Sequence, residues 1–254
     1  MKTSPDGFDY DSLDEEYPGH RVTDPRIARH LYEHLGDARS LLNVGAGTGS
    51  YEPDDRIVVA VEPSEVMRAH RPRNLVPAIA GSVEELPFDD DAFDSAMALL
   101  TVHHWEDLEL GLGEVRRVTR GPIVVMTFDP EAETEFWLRD YVPEMTAVEM
   151  KRYGPIQRIA DALGGAAIHS LNVGRDCRDA FQVALFARPE WFLRDEVRAA
   201  QSAWAHLPPG AEQRGMQELA ADLESGEWDR KYGALRVREE ITCQLRFVVS
   251  QHKR

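Results

Sequence analysis

A glycine-rich loop directly after a short apolar run is the first feature of this sequence that could bind a ligand. Residues 45–49 read GAGTG, so every second position is a glycine. Glycines in such a loop permit positive φ angles and let a ligand lie against bare backbone. Glu62 ends the next apolar run, where the acid of a nucleotide-binding βαβ unit accepts the two ribose hydroxyls. The order of these features predicts a site for a ribose-bearing ligand.

The segment after the glycines leaves almost no room for a phosphate-binding helix. The dinucleotide fingerprint needs a third glycine where this chain has a serine, followed by a helix whose N-terminus holds a pyrophosphate. Only seven residues, SYEPDDR (50–56), separate Gly49 from the next apolar run, whereas an ordinary helix takes about 10–14. Glu52, Asp54 and Asp55 would in addition repel a pyrophosphate. A ligand with a ribose, no phosphate and a positive charge fits best, and S-adenosylmethionine (SAM) is such a ligand.

Two adjacent histidines and one aspartate are the candidates for proton transfer. His103 and His104 follow one apolar run, and Asp129 directly follows another. A histidine at this place could accept a proton from a hydroxyl, a phenol or a carbon acid near neutral pH, and Asp129 could orient it or contact the acceptor. Alternatively, one histidine shapes the loop by bonding to the backbone, and Asp129 caps a helix. A base is needed only if the acceptor loses a proton.

Short apolar runs alternate with helical segments, which predicts a doubly wound α/β sheet. The runs are rich in Val, Ile, Leu and Ala without strict alternation, as is typical of parallel strands buried on both faces. The predicted strands are 40–46, 56–62, 75–82, 94–100, 122–128, 166–173 and 241–250. Asp24, Pro25 and Gly36 are the expected start and stop of a helix before the first strand. Ligands bind such sheets at the carboxyl ends of the strands, which would bring the glycine loop, Glu62 and the histidine pair together.

The second half of the chain contains amphipathic helices rich in aromatic residues. Trp137 and Tyr141 lie four residues apart on one predicted helix, and their rings could wall an apolar acceptor. Aromatics at helical spacing more often belong to the core, which is the alternative for both. The expected division is an N-terminal arm closing over the cofactor (1–23), a cofactor-binding core (24–175), a helical lid for the substrate (176–240) and a final strand with the C-terminus (241–254).

The composition restricts the class of partner. The 254 residues carry 29 Lys and Arg against 45 Asp and Glu, a net charge of −16, which disfavours nucleic acid as a partner. No apolar run approaches the roughly 20 residues that span a bilayer, and the acidic N-terminus lacks a signal-peptide core. We therefore expect a cytoplasmic protein, monomer or homodimer, with no membrane partner. The cysteines are too few for a disulfide framework, and the histidine spacing predicts no metal site.

Four successive motifs resemble those of class I SAM-dependent methyltransferases, specifically the small-molecule branch (methyltransferase type 11) that includes the ubiquinone/menaquinone C-methyltransferases. They are NVGAGTGSYEP (43–53), VAVEPSEVM (59–67), AGSVEELPFDDDAFD (80–94) and AMALLTVHHWED (96–107). The resemblance implies a Rossmann-like sheet of seven strands in that family's order and SAM as methyl donor, with S-adenosylhomocysteine as product. The implied function is methyl transfer to an O, N or C atom of a small, partly apolar organic acceptor, with natural-product tailoring as one suggested role.

The resemblance also implies the cofactor contacts, residue by residue. Ser82 occupies the position of the family's adenine-binding aspartate, so the Val83 backbone and Glu84 are expected to supply that contact. The remaining contacts are Gly45, Ala46, Gly47, Glu62, Pro63, Met67, Leu100 and Thr101, with Tyr17 and Arg21 closing the pocket from the N-terminal arm. Two alternatives stay open: a protein of this fold that performs another reaction or only binds SAM, and an NAD(P)-dependent oxidoreductase. The missing phosphate-binding helix argues against the latter.

Overall fold

Six strands form one mixed sheet in the structure, a computed structural model that describes residues 22–251. The strands are β1 Ser40–Val44, β2 Ile57–Val61, β3 Ser95–Leu99, β4 Ile123–Phe128, β5 Ala167–Gly174 and β6 Glu240–Ser250. Their order is β2-β1-β3-β4-β6-β5. The first four run parallel, and β6 pairs antiparallel with both β4 and β5. The α/β class and the use of both late strand candidates in the sheet are confirmed.

The predicted seventh strand, at 75–82, does not form. The segment touches the sheet only at Ile79, which makes a single parallel bridge to Val61 at the open edge of β2. Ile79 N–H donates to the Ala60 carbonyl at 2.8 Å, and its own carbonyl accepts from Glu62 N–H at 3.0 Å. Pro77 has no N–H to donate to a ladder, and none of the six described strands lies beyond the segment to pair with it. Among residues 22–251 the sheet therefore has six strands, with the bridge in the expected place of the seventh.

The helices cover both faces of the sheet, as the doubly wound prediction requires. They are α1 Pro25–Leu35, α2 Glu65–Ala69, α3 Leu108–Val118, α4 Leu138–Tyr141, α5 Glu144–Tyr153, α6 Gln157–Ala162, α7 Asp195–Ala199, α8 Ala211–Ser225, α9 Glu227–Tyr232 and α10 Ala234–Val237. Leu112 of α3 and Ile159 of α6 pack on one face. Leu31 of α1 packs on the other, in a larger core that includes Trp137 and Trp228 from the helices before and after β5. No helix within the described range is long and apolar enough to cross a membrane.

The start of α1 is fixed as the sequence predicts and is tied to the segment after β5. The Asp24 carboxylate caps the helix by accepting from Arg26 N–H at 2.9 Å, and Gly36 ends it with a φ of 60°. The same carboxylate accepts from the Arg26 guanidinium and, at 3.2 Å, from Arg178 N–H. Burial alone would raise the pKa of Asp24, but these hydrogen bonds outweigh it and lower the pKa to about 2. Asp24 thus joins the first helix to the helical part of the molecule.

Replacing Asp24 by asparagine, which still caps a helix, is expected to cost about 2 kcal/mol of unfolding free energy at pH 7. This follows because the pKa falls from 3.8 to about 2 on folding, and each unit is worth about 1.4 kcal/mol. A lowered carboxyl pKa stabilises the fold above pH 4, and the stability is lost as the pH falls towards 2. Urea unfolding between pH 7 and 3 should show the difference shrinking at the acid end. The exposed partner of Arg26 gives the control, since Asp176→Asn should cost less than about 1 kcal/mol; an equal loss in both variants would contradict the assignment.

Candidate functional site

A cavity of about 580 Å³ lies at the carboxyl ends of β1 to β4. On the sheet side it is bounded by the glycine loop after β1, Glu62 after β2, Thr101 after β3 and Phe128 at the end of β4. The opposite side comes from the helical part, with α5 and residues 200–203. Parallel strands end at one edge of a sheet and leave a crevice there for a ligand, and the volume suits a small organic molecule.

The glycine loop follows β1 as a series of turns with no helix, as the sequence predicts. Gly45, Gly47 and Gly49 all have positive φ angles, of 63°, 51° and 94°. A Cβ added to Gly45 would lie 2.0 Å from the Thr101 Oγ1, whereas one added to Gly47 would meet nothing within 4 Å. The first glycine therefore lets the loop pack against the end of β3, and Gly47, which lines the cavity, leaves bare backbone beside it.

Glu62 is held in place by the backbone of two loops. Its side chain accepts from Gly47 N–H and from Ser64 N–H, both at 2.8 Å. Burial raises the pKa of Glu62, and the two hydrogen bonds act in the opposite direction. Each carboxylate oxygen keeps further acceptor capacity on the cavity side, so the group can accept the two hydroxyls of a ribose.

The carboxylate of Glu52 is not presented to a ligand, contrary to the expectation that it adds free negative charge beside the loop. It forms a buried ion pair with Arg71, whose Nη2 lies 2.8 and 2.9 Å from the two carboxylate oxygens. The side chains are 1% and 3% exposed. Asn43 also donates to Glu52, and Arg71 donates to the Gly47 carbonyl at 3.2 Å. The pair therefore supports the glycine loop from behind.

The residues expected around the adenine form the far end of the cavity. Ser82 Oγ donates to the Glu84 carboxylate, and Glu84 also accepts from Glu106 N–H at 2.9 Å. Glu84 thus fastens this turn to the loop after β3, where Leu100 adopts a positive φ of 52°. All eleven cofactor candidates in the described range line the cavity: Gly45, Ala46, Gly47, Glu62, Pro63, Met67, Ser82, Val83, Glu84, Leu100 and Thr101. Tyr17 and Arg21 lie outside the residues that the structure describes.

Of the three candidates for proton transfer, the structure brings two to the cavity. His103 and His104 both line it, with ring centroids 3.8 Å apart, and His103 lies 4.4 Å from the ring of Tyr153. Asp129 is not among the lining residues; its Oδ1 accepts from Glu131 N–H at 3.2 Å, and its Oδ2 lies 3.8 Å from Arg246 Nε. No described helix begins at Asp129, since the next one starts at Leu138, so the alternative of a helix cap is wrong and the side chain stabilises a turn instead. The histidine pair remains a predicted base.

Comparison with known proteins connects this site to a family. A family model described as a methyltransferase domain matches residues 42–122. A solved structure from Anabaena variabilis, assigned as a methyltransferase of an antibiotic biosynthesis pathway, is 32% identical in sequence and has a TM-score of 0.82. The superposition covers 91% of this chain and 99% of that chain. The chain belongs to the class I SAM-dependent methyltransferases.

Two curated relatives each match half of the methyltransferase or less. Malonyl-[acyl-carrier protein] O-methyltransferase of Erwinia pyrifoliae is 34% identical over 112 residues, which cover 41% of this chain and 43% of that protein. The chloroplastic 2-methyl-6-phytyl-1,4-hydroquinone methyltransferase 2 of Oryza sativa is 28% identical over 139 residues, 50% of this chain and 40% of that protein. The match therefore spans less than half the length of these relatives, and their acceptors differ from one another.

The methyltransferase does not place Trp137 or Tyr141 at the cavity, which corrects the expectation that they wall the acceptor. Trp137 is 1% exposed and donates from Nε1 to the Phe186 carbonyl at 2.8 Å. Tyr141 is 2% exposed, and its hydroxyl donates to Asp222 at 2.8 Å. Both rings pack among the helices rather than on the cavity wall, so the alternative of a helical core applies to them.

Seven other residues line the part of the cavity away from the glycine loop, and the sequence analysis did not assign them to the acceptor. They form the acceptor-side wall, defined here as Phe128, Glu149, Arg152, Tyr153, Phe181, Gln182 and Ser202. Three of these residues come from α5 at positions i, i+3 and i+4, so they share one helix face. That spacing was visible in the sequence, but α5 also carries apolar residues, and nothing local tells which face meets the cavity. Phe181, Gln182 and Ser202 arrive from the segment after β5, through tertiary packing alone.

Proposed function

We propose that this methyltransferase transfers the methyl group of SAM to an O, N or C atom of a small, partly apolar organic acceptor bound in the same cavity. The observation that carries the proposal is that one cavity is lined both by all the described cofactor candidates and by the acceptor-side wall. Donor and acceptor would therefore meet inside a single cavity, where the chain can align them. Tailoring of a natural product is the role we favour, because the Anabaena variabilis protein, similar along nearly its whole length, is assigned to antibiotic biosynthesis.

The residues that would hold SAM follow from the geometry of the cavity. Glu62 would accept the ribose hydroxyls, the bare backbone at Gly47 would pack against the nucleoside, and residues 82–84 would contact the adenine. Leu100 and Thr101 would contact the methionine end beside β3. When bound, SAM supplies a sulfonium methyl group as the electrophile, so the chain's main tasks are binding, orientation and exclusion of water.

A helical lid is part of the same proposal. Residues 176–240 contribute Phe181, Gln182 and the 200–203 segment to the cavity wall, so they would close the acceptor in. The role expected of the N-terminal arm, residues 1–23, stays a prediction, because residues 1–21 lie outside the described part of the chain. Limited proteolysis with and without S-adenosylhomocysteine tests the lid, since closure should protect cleavage sites in 176–240 more than those in α3.

Isothermal titration with SAM, S-adenosylhomocysteine and NADH tests the cofactor. Micromolar binding of both adenosyl ligands is expected, and Glu62→Ala should weaken it about tenfold or more because the ribose hydroxyls lose a charged hydrogen-bond acceptor. Glu109→Ala, which removes an exposed carboxylate on α3, is the matched control and should bind as the wild type does. Binding of NADH in place of the adenosyl ligands would contradict the proposal, and adenosyl binding without methyl transfer to any acceptor would favour a binding-only protein of this fold.

A further inference from the structure

A carboxylate and an amide lie side by side on the acceptor-side wall. Gln182 Nε2 donates to the Glu149 carboxylate at 3.0 Å. Both residues line the cavity. A carboxylate can accept several hydrogen bonds, so Glu149 keeps further acceptor capacity beside the Gln182 amide. This corner of the cavity therefore suits a ligand that brings a hydroxyl or an N–H to the carboxylate.

A positive charge lies beside these two acceptors. Arg152 projects from α5 one turn after Glu149, lines the cavity and donates from Nη2 to the Ser202 hydroxyl at 2.7 Å. The serine holds the guanidinium on the acceptor-side wall, one helical turn from Glu149. A guanidinium at this position stabilises negative charge that develops on an oxygen as its proton leaves.

The rest of the acceptor-side wall is aromatic. The ring centroids of Phe128 and Tyr153 are 5.6 Å apart, and those of Phe128 and Phe181 are 6.1 Å apart, both pairs meeting edge to face. The His103 ring also packs against Tyr153, with the ring centroids 4.4 Å apart. Rings so arranged offer flat apolar surface to another ring. Beside the carboxylate, this surface favours a planar acceptor over an aliphatic one.

We propose that the acceptor is a hydroxylated aromatic compound and that Glu149 accepts the proton of its hydroxyl group during methyl transfer. This inference rests on the proposed function. The phenolic O–H bond breaks and its proton moves to the Glu149 carboxylate, while the oxygen forms the new bond to the methyl carbon. The carbon–sulfur bond breaks with its electron pair left on sulfur, which becomes a neutral thioether. Gln182 positions the carboxylate and is not itself a proton acceptor.

The pKa of Glu149 suits the role of proton acceptor. Burial raises the pKa of Glu149 to about 7, against the opposing effects of Arg152, Gln182 and Arg139. A proton acceptor is most effective when its pKa lies near the working pH. Two turns packed against α5 carry histidines, His103 and His104 on one and His206 on the other, so the test must separate Glu149 from the histidines.

The test compares phenols with their methyl ethers on protein saturated with S-adenosylhomocysteine. Three pairs serve as probes: phenol with anisole, naphthol with methoxynaphthalene, and hydroxybenzoate with methoxybenzoate. Titration calorimetry at pH 8 should show at least one phenol binding about tenfold or more tightly than its ether, since a hydrogen bond to a charged group is worth at least that. Glu149→Gln should reduce the preference to below about threefold. Glu144→Gln, on the same helix but paired with Arg214 at the surface, is the matched control and should retain it.

The pH dependence of the preference for the phenol over its ether identifies the group that accepts the phenol's hydrogen bond. The preference for the phenol should rise as the pH increases through about 7, where Glu149 becomes ionised, and should disappear at pH 5. In Glu149→Gln the profile should be flat, whereas His103→Gln and His104→Gln should keep the wild-type rise. A preference that survives in Glu149→Gln, or that disappears in a histidine variant instead, would overturn the assignment of Glu149.

The two binding measurements, of S-adenosylhomocysteine and of the phenols, distinguish a failure of this inference from a failure of the proposed function. Saturation with S-adenosylhomocysteine is checked first in every variant, and failure of the wild type to bind it would count against the proposed function. Binding of S-adenosylhomocysteine with no preference for a phenol in any of the three pairs would overturn the inference and leave the proposed function standing. Wild-type affinity for S-adenosylhomocysteine in Glu149→Gln would show that the variant folds.

Discussion

Replacing Arg71 by methionine is expected to lower the free energy of unfolding by about 3–5 kcal/mol, because it leaves the Glu52 carboxylate buried without its cation. Both side chains are almost fully buried, and the guanidinium contacts both carboxylate oxygens. A loss of this size is a large part of the roughly 5–15 kcal/mol that stabilises a domain. Thermal unfolding should show a fall in Tm of roughly 10 °C.

The same substitution should also weaken cofactor binding, since Arg71 donates to the carbonyl of Gly47 in the glycine loop. Adding Glu52→Gln to Arg71→Met removes the stranded charge and should recover part of the stability but not the loop contact. Arg158→Met is the control: it breaks the exposed pair with Glu109, and it should cost less than about 1 kcal/mol. An equally small loss of unfolding free energy in Arg71→Met would contradict the stabilising role assigned to the buried pair.

Local pattern was sufficient to predict that the cofactor candidates lie together at the cavity. The glycine loop, Glu62 and the turn at residues 82–84 each follow an apolar run within a few residues, so placing the strands also places them at one edge of the sheet. The first helix was equally local, because Asp24 and Gly36 mark its ends. The predicted strand at 75–82 failed for a reason that is not local: an edge segment with a proline has a partner on one side only, and the number of bonds it forms depends on β2.

The acceptor side could not be predicted because long-range packing creates it. Glu149 and Gln182 are separated by the whole of α6 and β5, and only the folding of the helical part onto the sheet brings them together. Trp137 and Tyr141 show the reverse case. They follow β4 closely in sequence and were therefore expected at the cavity, but both are buried in the hydrophobic core. Glu52 is a third case: a carboxylate near the ligand loop was neutralised by an arginine from beyond α2. Which charges a ligand meets is decided by such pairs.

Replacing Gly45 by alanine is expected to abolish detectable SAM binding and to destabilise the protein by several kcal/mol. The new Cβ would lie 2.0 Å from the Thr101 Oγ1 and 2.7 Å from its Cβ, so no rotation of the threonine side chain relieves the clash. The φ of 63° adds the cost of a left-handed conformation for a residue with a Cβ, about 1–2 kcal/mol. The loop and the end of β3 must therefore separate, and both carry cofactor candidates.

Gly113 is the matched control, because replacing it by alanine is expected to stabilise the protein. Gly113 lies exposed within α3, its φ is not positive, and a Cβ there would meet nothing within 4 Å. Gly113→Ala should stabilise the protein by about 0.5–1 kcal/mol through the higher helix propensity of alanine and leave SAM affinity unchanged. Thermal unfolding measures the stability of the two variants, and calorimetry measures their affinity for SAM. The comparison separates the general effect of replacing a glycine from the effect of the clash between residue 45 and Thr101. If Gly45→Ala bound SAM as tightly as Gly113→Ala does, the close approach of the loop to β3 would not be what shapes the cofactor site.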